Sequence, residues 1–130
     1  MNAALEFHDS EVRAIQPKDG DLSIVFSAAY VHHSEGVPGV DAGSGYVQAL
    51  EMFLQQAMWS GSLKSCFGKL SDGHVSAGEQ RLSLIPLPYE SSAPVKVELV
   101  FQNGESLVAT AARAVIRFIG EARFIESFRC

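Results

Sequence analysis

The segment Leu22-Ser23-Ile24-Val25-Phe26-Ser27 carries the pattern that decides the fold class. Its first, third and fifth positions hold large apolar residues, and its second and sixth positions hold polar ones. The same arrangement returns in Leu50-Glu51-Met52-Phe53-Leu54-Gln55 and in Val97-Glu98-Leu99-Val100-Phe101-Gln102. A period of two is typical of a β-strand with one face in a hydrophobic core. The pattern therefore predicts three half-buried strands.

Two pairs of turn residues indicate how such strands connect. Asp19-Gly20 separates segment 11–16 from segment 22–26, and Asn103-Gly104 separates segment 95–102 from segment 106–111. Asp-Gly and Asn-Gly are favoured in tight hairpins because these residues tolerate a positive φ. The sequence therefore predicts one hairpin near each end of the chain.

Together these patterns predict an all-β fold over a single domain, residues 1–130. We expect an antiparallel sandwich or barrel of about eight short strands, because such sheets must hide an apolar face and protect their edges. Segments 46–58 and 109–119 also fit the spacing of an amphipathic helix. An α+β domain with one or two helices is the alternative.

Composition excludes several classes of protein. With 47% hydrophobic and 19% charged residues the chain is too apolar for disorder, yet it has no apolar run as long as the roughly 18 residues of a membrane span. The net charge is −5 and no cluster of Lys or Arg stands out, which disfavours nucleic acid as a partner. Without a secretory signal pattern, we expect a cytoplasmic protein whose Cys66 and Cys130 are reduced thiols.

The glycine-rich segment 31–45 is the main candidate for a functional loop. Its candidate ligand-binding residues are His32, His33, Glu35, Asp41 and Ser44. Imidazole and carboxylate groups suit a divalent metal, so His32, His33 and Asp41 form the predicted metal set. In an extended strand the two adjacent histidines would point to opposite faces, so one ion could bind both only if the backbone bends.

Other candidate chemistry is weaker. Gly43-Ser44-Gly45 lacks the further glycine of a dinucleotide fingerprint and the lysine of a P-loop, and we expect no cofactor. His8 and Asp9 could form a base and its orienting carboxylate, although neighbours in an extended chain seldom face each other. Capping of the strand start through side-chain to backbone hydrogen bonds of Asp9 and Ser10 is the alternative.

The two ends of the chain carry a resemblance. The chain resembles small uncharacterised bacterial β-rich proteins at His8-Asp9-Ser10 with Val12 and Ile15, at the following Leu22, Ile24 and Phe26, and at Gly120-Glu121 with a later alternation of Phe124, Glu126 and Phe128. These motifs are also similar to some immunity proteins of bacterial toxin systems. That similarity implies a β-rich fold and a protein partner. Segment 31–45 has no counterpart in the immunity proteins.

Three functions follow from these observations. The sequence favours a non-catalytic protein-interaction or binding module, whose acidic first third and glycine-rich loop contact a protein partner. The alternative is a domain that binds a small ligand or a divalent metal through the 31–45 loop. A small hydrolytic enzyme using His8, Asp9 or the loop histidines is the second alternative. A homo-oligomer is compatible with each, since apolar sheet faces and edges need cover.

Overall fold

The structure of the chain, a computed structural model, describes residues 1–128 and is all-β within that range. Cys130, predicted to be a reduced thiol, lies outside the described residues. Twelve strands follow one another along the described chain. In order they are β1 (Asn2–Lys18), β2 (Asp21–Ser34), β3 (Gly43–Gln55), β4 (Met58–Ser60), β5 (Gly68–Ala77), β6 (Gln80–Leu82), β7 (Leu84–Leu87), β8 (Tyr89–Ser91), β9 (Val95–Phe101), β10 (Ser106–Ala111), β11 (Arg113–Phe118) and β12 (Arg123–Phe128).

The strands form one antiparallel sheet, which is curled into a half-barrel. Along its main path the order is β4-β10-β9-β5-β1-β2-β3-β11-β8, while β12, β6 and β7 pair with β3, β5 and β1. Asp19 (φ 52°) and Gly20 (φ 84°) make the tight turn between β1 and β2, and Gly104 (φ 93°) lies in the turn between β9 and β10. Both predicted hairpins are confirmed.

The all-β prediction is confirmed, and the helical alternative is not. Segments 46–58 and 109–119 fall mainly in β3, β10 and β11, and residues 1–128 contain no helix, hence none that could cross a membrane. About eight short strands were expected, and twelve are present. The longest strands also exceed the expected length, because β1, β2 and β3 span 17, 14 and 13 residues and bend around the core. The three-residue strands β4, β6 and β8 are too brief to show a sequence period.

The core lies on the inner face of the curled sheet, where the three repeated segments place their apolar residues. The first, third and fifth positions of each segment are 0–1% exposed. These positions are Leu22, Ile24, Phe26, Leu50, Met52, Leu54, Val97, Leu99 and Phe101. The period of two therefore identified the core correctly at all three segments.

A bulge in β2 changes which residues face the core. In β2 the register shifts between Phe26 and Ala29, so the buried positions move from Ile24 and Phe26 to Ala29 and Val31. A single extra residue reverses the inward and outward sides of a strand. As a consequence the later even-numbered residues of β2, Tyr30 and His32, point away from the core on the outer face.

Candidate functional site

The predicted loop 31–45 is shorter in the structure. β2 continues through Ser34 and β3 begins at Gly43, which leaves residues 35–42 as the connection. A Cβ atom at Gly43 would overlap the carbonyl oxygen of His33, so the glycine permits two strands to approach closely. The glycines that suggested an irregular loop therefore belong partly to a strand.

The two histidines of this region lie on opposite faces of β2. The Nε2 atom of His32 is 2.9 Å from Oε2 of Glu6, whereas the ring of His33 packs against Tyr46 with the ring centroids 4.3 Å apart. Burial lowers the pKa of the His33 imidazole. Within residues 1–128 no three His, Cys, Asp or Glu side chains are grouped to hold a metal ion. The structure therefore does not bring His32, His33 and Asp41 together.

Asp41 closes the connecting loop on itself. Its Oδ2 atom accepts a hydrogen bond from the Val37 N–H at 2.6 Å, and its own N–H donates to the Val37 carbonyl at 2.8 Å. The buried Ser34 hydroxyl donates to the Ala42 carbonyl at 2.8 Å and accepts from Gly36 N–H at 3.0 Å. These contacts give the loop 35–42 a defined shape.

The remaining candidates of this segment lie apart. Glu35 is exposed at the start of the loop, and Ser44 lies in β3, paired with His33 in the ladder. Neither lines the cavities described below.

His8 and Asp9 do meet, contrary to the expectation for neighbours in an extended chain. Asp9 has a φ of 68°, and its carboxylate lies 3.3 Å from Nδ1 of His8. Both side chains are more than half exposed, at 59% and 56%. The capping role falls to Ser10, whose buried hydroxyl donates to the Glu6 carbonyl at 2.5 Å and accepts from the Tyr30 N–H at 2.8 Å.

A cluster of five side chains on the outer face was missed by the sequence analysis. This outer-face cluster consists of Glu6, Tyr30, His32, Glu126 and Phe128. Besides the Glu6 to His32 contact, the Tyr30 hydroxyl donates to Oε1 of Glu126 at 2.7 Å. The His32 ring lies between those of Tyr30 and Phe128, with centroid distances of 5.0 and 5.5 Å. Three strands, β1, β2 and β12, therefore contribute to one polar and aromatic cluster across β3.

Burial and hydrogen bonding set the environment of the polar atoms in the cluster. Burial, followed by the hydrogen bond to Glu126, raises the pKa of the Tyr30 hydroxyl. Because a carboxylate only accepts hydrogen bonds, the His32 nitrogen that faces Glu6 carries the proton. The other nitrogen, Nδ1, is buried without a hydrogen-bond partner among the described residues. An unpaired buried polar atom is uncommon and is often associated with function.

A polar cleft of about 360 Å³ opens beside the cluster. Its lining includes Glu6, His8 and His32 from the first two strands, together with Asp72 and Ser83. It contains two carboxylates and two imidazoles. The cleft can therefore accept hydrogen bonds and hold a positive charge.

A second cavity adjoins the polar cleft. This apolar groove has a volume of about 630 Å³ and lies between the start of β1, the loop 35–42 and β7. Its lining includes Ala4, Val37, Pro86 and Leu87, and Leu84 lines both cavities. Gly39 packs so closely on Leu84 that an added Cβ would lie 2.6 Å from Leu84 Cδ1. The loop 35–42 therefore lines both the groove and the cleft.

The sequence held only a partial signal of this site. Tyr30 and His32 alternate in β2, as do Glu126 and Phe128 in β12, which is visible in the sequence. The contact between these two pairs across β3 depends on strand register, which the sequence does not show. In the structure Gly45 of β3 lies opposite Glu126 on one side and opposite His32 on the other.

Comparison with known proteins leaves the site to be interpreted from its own chemistry. No protein-family model, no curated protein and no solved structure matches this chain.

Proposed function

We propose that this chain is a non-catalytic binding module that holds a small amphipathic ligand in the apolar groove and the polar cleft. The observation that carries the proposal is that Leu84 lines both an apolar cavity of about 630 Å³ and a polar cavity of about 360 Å³, so the two cavities lie side by side. Ligand sites are typically concave and largely apolar, with a few polar groups that orient the ligand. The two cavities together have that composition.

The contacts around the histidines support binding rather than catalysis. Nucleophilic catalysis needs a hydroxyl or thiol within hydrogen-bond distance of a base. Within the described part of the chain, His32 bonds to Glu6 and His74 bonds to Arg81, and neither bonds to a hydroxyl or thiol. The thiol of Cys66 is buried, and its pKa is raised by burial and by Glu105.

The proposal is tested by nuclear magnetic resonance titration of the full chain with a panel of small amphipathic compounds. We expect backbone signals around Val37, Leu84 and His32 to shift together. A Val37→Asn variant should weaken binding about tenfold, since it places an uncharged polar group in the apolar groove while leaving the backbone hydrogen bonds of Val37 available. Val100→Asn is the matched control, because Val100 is similarly exposed but does not line the groove. Shifts confined to other surfaces would contradict the proposal.

A protein-binding role is the second candidate, and β12 supports it. Among residues 1–128 this strand pairs with β3 alone, and five of its six residues are exposed, including Phe124 at 58% and Ile125 at 49%. Phe118 and Ile119 at the end of β11 are also exposed. Exposed apolar edge strands are a common site of strand addition by a partner. This role is the one that the similarity to immunity proteins implies.

The second candidate is tested by sedimentation of the purified chain and by capture of partners with wild type and an Ile125→Lys variant. Ile125 lies at a bulge in β12, so the substitution changes the edge without filling the core. A monomeric protein that captures the same partners with and without the substitution would contradict a role for β12.

A further inference from the structure

We propose that the ligand of the apolar groove and the polar cleft is a small organic cation, with an ammonium group in the cleft and a hydrocarbon body in the groove. This inference rests on the proposed function and adds the charge of the ligand. Its basis is the set of charged groups that line the cleft.

The cleft is lined by two carboxylates and two imidazoles, and by no side chain that is always positively charged. Glu6 and Asp72 line it, whereas neither Lys nor Arg is among its lining residues. Arg81 lies outside the lining: its guanidinium bonds to Nδ1 of His74 at 3.1 Å, and His74 in turn lies 3.9 Å from Asp72, so the positive charge of Arg81 reaches Asp72 only through that histidine. With neutral histidines the cleft therefore has two negative charges and favours a cation.

The hydrogen-bonding capacity of the cleft fits an ammonium group. Glu6 uses Oε2 for His32, and Oε1 makes no hydrogen bond within residues 1–128. The Glu6 side chain is 35% exposed, so this oxygen is placed to accept from a ligand. An ammonium group has only donors, and these match carboxylate acceptors. A carboxylate ligand would instead meet two like charges.

The charge of the surrounding chain also favours a cationic ligand. Residues 1–46 contain seven acidic and two basic residues, so their net charge of −5 equals that of the whole chain. These residues form β1, β2 and the loop 35–42, which build most of the groove and half of the cleft. A negative field of this kind raises the local concentration of cations.

The adjoining groove selects the remainder of the ligand. Val37, Pro86 and Leu87 offer apolar surface next to the shared residue Leu84. Each methylene group buried on binding raises the affinity by about fourfold. A hydrocarbon chain attached to the ammonium group therefore adds affinity, and an ammonium group alone binds weakly.

The test compares four probes by nuclear magnetic resonance titration of the full chain at neutral pH and low salt. The probes are hexylammonium, hexanoate, 1-hexanol and methylammonium. We expect hexylammonium to bind about tenfold more tightly than hexanoate, with 1-hexanol between them, and methylammonium to bind more than about tenfold more weakly than hexylammonium. Glu6→Gln and Asp72→Asn should each lower hexylammonium affinity about three- to tenfold. Glu121→Gln, which removes an exposed carboxylate outside the cleft, should leave that affinity unchanged.

The outcomes separate the two proposals. If hexanoate or 1-hexanol binds at these residues as tightly as hexylammonium, the cationic ligand is excluded while the binding function stands. If none of the six-carbon probes shifts the signals of the groove and cleft, both proposals fail. Because Asp72 is 62% exposed, its variant keeps the test valid even if Glu6→Gln does not fold.

Discussion

Gly45 of β3 lies directly beneath the phenol of Tyr30, so that a Cβ atom on the glycine would overlap the Tyr30 hydroxyl and lie 2.6 Å from Cζ. The absence of a side chain at this position lets Tyr30 lean across β3 and reach Glu126 on β12. The outer-face cluster therefore depends on one glycine in the middle of a sheet, at a position where its backbone needs no unusual φ.

Substitution of Gly45 by Ala should displace the Tyr30 ring and break its hydrogen bond to Glu126. We expect the free energy of unfolding to fall by about 1–3 kcal/mol, which is typical of overpacking in a filled site. Denaturant unfolding measures this change. In a Tyr30→Ala background the added methyl group has room, so Gly45→Ala should cost at least about 1 kcal/mol less there. Equal costs in both backgrounds would show that the Tyr30 contact is not the cause.

The raised pKa of Tyr30 predicts loss of stability at alkaline pH. The folded chain keeps the Tyr30 proton above the ordinary pKa of 10.0, whereas the unfolded chain loses it. The unfolded state then binds fewer protons, so the free energy of unfolding decreases as pH rises above about 10. Below that pH both states are protonated and Tyr30 adds no pH dependence.

Absorbance titration of tyrosinate together with denaturant unfolding checks this prediction. Tyr30→Phe should remove the part of the absorbance change that occurs at the highest pH and should make stability depend less on pH above about 10. Tyr89→Phe is the control, because it leaves the hydrogen bond between Tyr30 and Glu126 intact. If Tyr30→Phe and Tyr89→Phe alter the titration in the same way, Tyr30 has no special environment.

The lowered pKa of the Glu51 carboxyl predicts a loss of stability at acidic pH. The Ser23 hydroxyl donates to its Oε2 at 2.5 Å and Arg117 lies 2.8 Å from its Oε1, and these partners, Ser23 above all, lower the pKa of the carboxyl. A lowered pKa contributes stability above the ordinary value of 4.5, which is lost as pH falls through the folded value.

Ser23→Ala should therefore destabilise the protein by about 1 kcal/mol at pH 7 and by less at pH 3. Unfolding in urea at the two pH values gives the difference. Ser27→Ala is the matched control, because its hydroxyl also bonds a carboxylate, that of Glu11, but at an exposed position. A Ser23 effect that is the same at both pH values would exclude protonation of Glu51 as its origin.

The all-β fold could be predicted from the sequence because burial follows the period of two directly. Leu22, Leu50 and Val97 each begin a segment whose alternate residues are buried, and no tertiary information was needed to see it. The Asp19-Gly20 turn was predicted for the same local reason. Nothing local specified the extra length of β1, β2 and β3, which depends on pairing along their whole span.

The candidate site could not be predicted, because it depends on register. The shift between Phe26 and Ala29 decides that His32 faces Glu6 rather than the core, and the positive φ of Asp9 brings His8 and Asp9 together. Bulges leave only weak marks in sequence. The glycines of segment 31–45 were interpreted as loop, although Gly43 and Gly45 serve close packing in β3.

The bulge in β1 gives a last prediction, centred on Ser10. Its side chain is fully buried, and its hydroxyl takes the place of a ladder partner by accepting from the Tyr30 N–H and donating to the Glu6 carbonyl. Ser10→Ala leaves both backbone groups without that partner, and a buried polar group without a partner costs about 1–3 kcal/mol. Ser91→Ala is the comparison, since its hydroxyl bonds Ala93 at an exposed position and its loss should cost less than about 0.5 kcal/mol. Denaturant unfolding should rank Ser10→Ala well below Ser91→Ala in stability. The Ser10 hydroxyl bonds the backbone of both Glu6 and Tyr30, two members of the outer-face cluster. Equal stability of Ser10→Ala and Ser91→Ala would therefore mean that the bulge positions this cluster without the Ser10 hydroxyl.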